Sequence, residues 1–248
     1  MESVNNYDKI YDEDFFKDRN AATRYAAGKI LDIVASTLPT INSAADVGCG
    51  VGTWLSVLKE QGVNDVHGFD GHWVNQDLLQ IPVDAFTKSD LQKPLAAPRK
   101  FDLAISLEVA EHLPAACADT FVQSLTDLAD FVLFSAAIPH QGGVNHLNEQ
   151  WQSYWAEKFE AKNYLATDPV RSRIWADQKI SIPYRQNIVV YIAESRMEEI
   201  DLKPKDIHSL SVAHPELYEI RNSKSVKQAL SDLRSTATNK FFRMIGKK

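Results

Sequence analysis

The chain has 248 residues, 44% hydrophobic and 24% charged, a composition that suits one mid-sized domain with a tail. No apolar run reaches the roughly 18–20 residues that span a bilayer, the start Met1–Asp8 is polar and acidic rather than signal-like, and two cysteines, Cys49 and Cys117, make no disulfide framework, so a cytoplasmic protein is expected. The net charge of −6 is uneven: Met1–Ser195 carries 16 basic against 26 acidic residues and Arg196–Lys248 carries 11 against 7, so the acidic body argues against binding along a phosphate backbone.

In chain order, residues 1–19 are polar with interspersed Tyr7, Tyr11, Phe15 and Phe16, and read as a lid segment ahead of the domain. From Asn20 to Leu38 the apolar residues Ala27, Ile30, Leu31, Val34 and Leu38 recur at helical spacing before Pro39. Ser43–Val47 reads as a buried strand ending in glycines, Thr53–Gln61 as a helix, Asp65–Phe69 as a strand and Trp73–Leu79 as a helix. A third strand is expected before Asp90. Phe101–Leu107 is a strand, Ala115–Leu128 a helix, Phe131–Ala137 a strongly apolar strand, Gln150–Ala161 a helix and Gln186–Ala193 a final strand. This alternation predicts an α/β fold, a parallel sheet with helices on both faces, whose ligand sits at the carboxyl ends of the strands.

Those ends carry the chemistry. Asp46-Val47-Gly48-Cys49-Gly50-Val51-Gly52 follows the first strand and opens a helix. Glycines there let the backbone approach a ligand, and the helix start adds unpaired N–H groups. Asp70 closes the second strand, where a carboxylate can accept from two ribose hydroxyls. Asp90-Leu91 follows the third strand, and Phe101–Leu113 runs through the fourth strand and its turn.

With these motifs in register, the span from Asn20 to Ala193 resembles the class I S-adenosylmethionine-dependent methyltransferases. The resemblance implies a Rossmann-like seven-stranded sheet with an antiparallel final hairpin, spanning 20–195. It implies S-adenosylmethionine as cofactor, held by Asp46, Gly48, Gly50, Gly52, Asp70, Asp90, Leu91 and Leu107, with Asp90 and Leu91 on the adenine.

Methyl transfer needs an aligned nucleophile and a proton acceptor, and histidine is the usual base near neutral pH. Glu108, Glu111 and His112 lie at i, i+3 and i+4 and would share a helix face beside the methionine end. His146 lies on the glycine-containing loop Gly142–Asn148 and is the favoured base; Asn148 is expected to cap the next helix. Glu-x-x-Glu-His is similar to a metal-binding stretch of ubiquinone-pathway O-methyltransferases and of enzymes that methylate the terminal ribose of small RNAs. In the RNA enzymes a further histidine comes from the position of His146. That resemblance makes Glu108, Glu111, His112 and His146 an alternative ligand set for magnesium or manganese, although the expectation is turnover without a metal.

Asn145, Trp151 and Tyr154 are expected to bind substrate, with the aromatic faces available to stack on a sugar. The stretch Gly143–Trp151 loosely resembles methyltransferases found with surface-polysaccharide enzymes. The expected activity is therefore O-methylation of a sugar, nucleotide sugar or glycan in polysaccharide biosynthesis. Alternatives are another small-molecule hydroxyl, an RNA ribose, and a cofactor-binding pseudo-enzyme that scaffolds a partner. Residues 196–248 form a basic extension. Lys224–Lys248 carries seven Lys or Arg and one acid, with Val226, Leu230, Leu233, Ala237 and Phe241 at helical spacing. That pattern predicts an amphipathic helix contacting a subunit or, peripherally, the inner face of a membrane.

Overall fold

A computed structural model of the chain describes residues 13–96 and 99–223, with side chains from Ala21 onward. The first helix, α1 (Glu13–Ala35), takes in the end of the expected lid segment. Its Ala27, Ile30, Leu31 and Val34 are at most 2% exposed, as the 3.6-residue spacing requires. The rest of the lid, residues 1–12, and the expected tail helix over Lys224–Lys248 lie outside the described residues.

Seven strands follow: β1 (Ser43–Val47), β2 (Asp65–Asp70), β3 (Phe86–Lys88), β4 (Phe101–Leu107), β5 (Ala129–Ser135), β6 (Tyr164–Thr167) and β7 (Val189–Ala193). They form one sheet in the order β3-β2-β1-β4-β5-β7-β6. β7 pairs antiparallel with both β5 and β6, and the remaining pairs are parallel, which gives the seven strands and antiparallel hairpin that the resemblance implies.

Alternate side chains of the strands feed two cores. Ala44, Leu103, Ile105, Leu133 and Val190 face the layer of α1 and α2 (Thr53–Glu60), which α5 (Arg171–Ile174) and the residues around α6 (Ile182–Asn187) extend. Ala45, Ala104, Val132, Phe134 and Tyr191 face α3 (Ala118–Leu128), α4 (Gln152–Glu160) and Leu210 of α7 (Ile207–Leu210). Each fully buried Leu, Ile or Phe contributes about 1.5–3 kcal/mol by leaving water. Burial on both faces explains why the central strands read as unbroken apolar runs.

Three expected elements differ. Trp73–Leu79 is no helix but a single 3₁₀ turn, Gln76–Leu78. The Asn75 side chain accepts from the Asp77 amide and closes the turn locally, and Ile81-Pro82 blocks continuation. Gln186 and Asn187 end α6 rather than beginning the last strand. Asn148 does not cap α4: Trp151 occupies that position, while Asn148 accepts from Gln150 through Oδ1. The chain divides into two compact units, Met1–Val212 and Ala213–Lys248, so Arg196–Val212 belongs to the first; the described part of the second includes α8 (Pro215–Asn222). No described helix is long and apolar enough to cross a membrane.

Candidate active site

A cleft of about 830 Å³ opens at the carboxyl ends of β1–β4 and is lined by Gly48, Gly50, Asp70, His72, Trp73, Lys88, Asp90, Leu91, Glu108, Val109, His112 and Asn145 among others. Its position follows from the strand order. β1 has β2 on one side and β4 on the other, so the connections leave in opposite directions and a crevice opens between them.

The turn after β1 forms one wall. Gly48, Gly50 and Gly52 have φ of 85°, 54° and 82°, in the left-handed region that favours glycine. A Cβ on Gly48 would overlap the Val109 side chain, so the turn also needs glycine for close packing. Asp70 ties this turn to the next. Its Oδ2 accepts from the Gly50 amide at 2.7 Å and its Oδ1 from the Gly71 amide at 2.6 Å, and the Trp73 indole donates to the same carboxylate. Burial raises the Asp70 pKa and these three donors oppose the rise. Asp90 is exposed at the far end, its pKa lowered by Lys93 and the Gln92 amide, beside the buried Leu91.

Of the expected cofactor residues, Gly48, Gly50, Asp70, Asp90 and Leu91 line the cleft. Asp46, Gly52 and Leu107 do not: Gly52 is the N-cap of α2, and Asp46 and Leu107 are buried in the sheet. Burial, reinforced by the Asp70 charge, pushes the Asp46 carboxyl well above its ordinary range.

The other wall follows β4. Glu108, Glu111 and His112 do come together, but not by sharing a helix face. Glu108 has a left-handed backbone, φ 57°, and only Ala110–His112 forms a 3₁₀ turn. Two buried amides hold the Glu108 carboxylate: Asn187 Nδ2 donates to Oε1 at 3.0 Å and Gln141 Nε2 to Oε2 at 2.8 Å. Gln186 in turn donates to Asn187 Oδ1 at 2.8 Å. Glu111 is 1% exposed, and its Oε2 has no hydrogen-bond partner. Burial first, and the neighbouring Glu108 charge second, push its carboxyl well above the ordinary range.

The two imidazoles meet edge to face with centroids 4.9 Å apart. His112 lines the cleft together with Asn145; burial, and then His146, lower its pKa and favour the neutral ring. His146 stands behind it, outside the lining, with its side chain 12% exposed and Nδ1 2.9 Å from Glu149 Oε1. Ligand atoms of Glu111, His112 and His146 all lie within 4.8 Å of one another, so these three could hold a metal ion.

Among the expected substrate residues Asn145 lines the cleft and Trp151 and Tyr154 do not: Trp151 is 42% exposed at the start of α4, and Tyr154 packs edge-on against Trp155 with Lys158 over its ring. Gln141, Glu149 and Asn187 are site residues that sequence reasoning missed. For Glu149 a signal existed, its spacing of three from His146.

A family model described as a methyltransferase domain matches residues 19–168. Among solved structures, the chain is similar to a component of a Haloferax volcanii complex between the Trm112 methyltransferase activator and a methyltransferase, at 14% identity and a TM-score of 0.57, covering 77% of this chain and 99% of that one. Magnesium protoporphyrin IX methyltransferase from Synechocystis with bound SAM matches at 19% and 0.51, covering 77% and 86%. The methyltransferase domain of bacterial CtHen1 also matches at 19% and 0.51, covering 69% and 99%. These likenesses are likenesses of fold. No curated protein matches the chain.

Proposed function

The chain belongs to the methyltransferase domain family, and from that premise we propose that it transfers the methyl group of S-adenosylmethionine to a hydroxyl of a sugar, nucleotide sugar or glycan. One observation carries the reading: a single cleft holds both a buried carboxylate bonded to the glycine turn, Asp70, and an imidazole favoured in its neutral form, His112. Asp70 takes the ribose hydroxyls, Asp90 and Leu91 the adenine, and the Gly48–Gly50 turn the methionine portion. Bound there, S-adenosylmethionine would supply an electrophilic methyl group for in-line transfer to the acceptor oxygen, and His112 would take the acceptor hydroxyl's proton. The sequence favours His146 as base; His112 is assigned that role here because it lines the cleft while His146 sits behind it.

Within that class, charge favours a sugar or glycan over a nucleotide sugar. Phe101–Glu157, which supplies the Glu108–Asn145 wall, contains no Lys or Arg, and Lys88 on the opposite wall is the one Lys or Arg among the described residues that line the cleft. The same fact counts against an RNA acceptor. The basic residues of Lys224–Lys248 are proposed as a peripheral contact to a subunit or an anionic membrane, consistent with a polysaccharide-building role.

The test is transfer of labelled methyl groups to panels of sugars, glycans, nucleotide sugars, other small hydroxyl compounds and RNA. His112→Gln should lower turnover by roughly a hundredfold while leaving S-adenosylhomocysteine affinity intact. Transfer to RNA alone, or a fully active His112→Gln, defeats this reading.

A second reading, metal-assisted transfer, is favoured by the unpartnered buried Oε2 of Glu111 beside His112 and His146. These residues, with Glu108 alongside, suit a divalent cation of the magnesium or manganese kind, which when bound would polarise the acceptor hydroxyl. Turnover that survives a chelator supports the first reading. Turnover lost to chelator and restored by either ion supports the second.

A further inference from the structure

The loop between β5 and α4 is held by one side chain. Glu149 Oε2 accepts from the His140 amide at 2.8 Å, and Oε1 accepts from the Gly142 amide at 2.7 Å and lies 2.9 Å from His146 Nδ1. The carboxylate therefore closes the loop on itself and touches the imidazole inside it. The backbone is bent to match: His140, Gly142 and Asn145 have φ of 67°, 69° and 58°. A Cβ on Gly143 would overlap the His146 ring around Nε2, so this loop position is shaped around that edge of the imidazole. Glu111 fixes the far end, its carbonyl accepting from the Leu147 and Asn148 amides at 2.7 and 3.0 Å.

An ionised carboxylate only accepts hydrogen bonds, so the ring nitrogen facing it must carry the proton. The groups around His146 are Glu149 on one side and His112 and Glu111 on the other. We propose that Glu149 is a positioning residue, whose carboxylate holds His146 in the Nδ1–H tautomer and leaves Nε2 as its lone-pair nitrogen. The histidine side chain in water prefers the Nε2–H tautomer, so the hydrogen bond to Glu149 selects the minor form. Each ring, when neutral, then offers one acceptor nitrogen. The cluster is thus preset to receive a proton donor or a cation, whichever route transfer takes. The tautomer itself rests on geometry alone. Its catalytic consequence rests on the methyl-transfer reading above.

Nitrogen-15 NMR of the full chain labelled at histidine, at pH 8, reads the tautomer directly, with His146→Gln assigning the resonance. In the wild type His146 should show a protonated Nδ1 and a lone-pair Nε2. In Glu149→Ala the Nε2–H form should become the major one, with S-adenosylhomocysteine affinity changed less than twofold and turnover down at least tenfold. A purely structural Glu149 would move the melting temperature and leave the tautomer alone. A wild-type His146 found mainly as Nε2–H overturns the proposal without any variant, as does an unchanged tautomer in a folded Glu149→Ala. Failure of the wild type to bind S-adenosylhomocysteine would instead count against the methyl-transfer reading and leave the tautomer result standing.

Discussion

Asp46→Asn replaces a carboxyl by the isostere of its protonated form. Asp46 is 3% exposed, and burial together with the Asp70 charge raises its pKa well above the ordinary 3.8. Above that ordinary value the unfolded chain releases the proton while the folded chain retains it. Folding of the wild type therefore takes up a proton, and its stability falls as pH rises until the folded pKa is passed. The substituted amide does not titrate. The stability of Asp46→Asn relative to wild type should thus grow with pH by about 1.4 kcal/mol per unit, the free energy of one proton over one pH unit. The gap should widen steadily from pH 5 upward, by at most about 1.4 kcal/mol per unit, for as long as the folded carboxyl keeps its proton. The Asp70 pair strengthens the trend, because the Asp46 charge would appear next to a carboxylate already held by three donors. Urea unfolding of both proteins at pH 5, 6 and 7 measures it, and only the difference between them matters, so other titrating groups cancel. Parallel stability curves, or a gap that shrinks with pH, would refute the reasoning.

The other predictions follow from contacts already described. Asp70→Ala should weaken S-adenosylhomocysteine binding by about 1–3 kcal/mol in calorimetry, since cofactor hydroxyls would lose their acceptor. Gly48→Ala should abolish binding and lower the melting temperature, through a left-handed backbone costing about 1–2 kcal/mol and overlap with Val109. Adding Val109→Ala should recover part of the loss. Arg171→Met should destabilise the fold by about 3–5 kcal/mol in urea unfolding, because it strands buried partners. The Arg171 side chain is 5% exposed, paired with Asp168 at 2.8 Å, and it donates to the Gln186 and Leu210 carbonyls.

The sheet was legible where local chemistry and burial agree. Val47 and Leu107 end apolar runs at a glycine turn and at Glu108, and each run is a strand covered on both faces. Tyr164–Thr167 escaped notice because four residues show too little periodicity, and Tyr164 is held in place by donating from its hydroxyl to the Thr126 and Ala129 carbonyls 38 and 35 residues away. Trp73–Leu79 carried a helical spacing that the Asn75 side chain overrode. At the site, the residue types were visible and their arrangement was not. No pattern around Glu108 announces a left-handed φ, and its amide partners Gln141 and Asn187 lie 33 and 79 residues away in sequence. Long-range hydrogen bonds of this kind leave no local trace.

The strand order gives the molecule a seam. Everything on the glycine-turn side of the cleft, Gly48 to Gln92, comes from one continuous stretch, and the facing wall from Glu108 to Asn145 comes from the next. A graft that exchanges the second stretch for that of another protein with this sheet should change which acceptor is recognised and leave the first intact. The seam runs through Val109, whose side chain fills the space that Gly48 leaves empty. A chimera should therefore be cut after Val109 and not before it, so that the donor stretch inherits a turn already fitted to its neighbour.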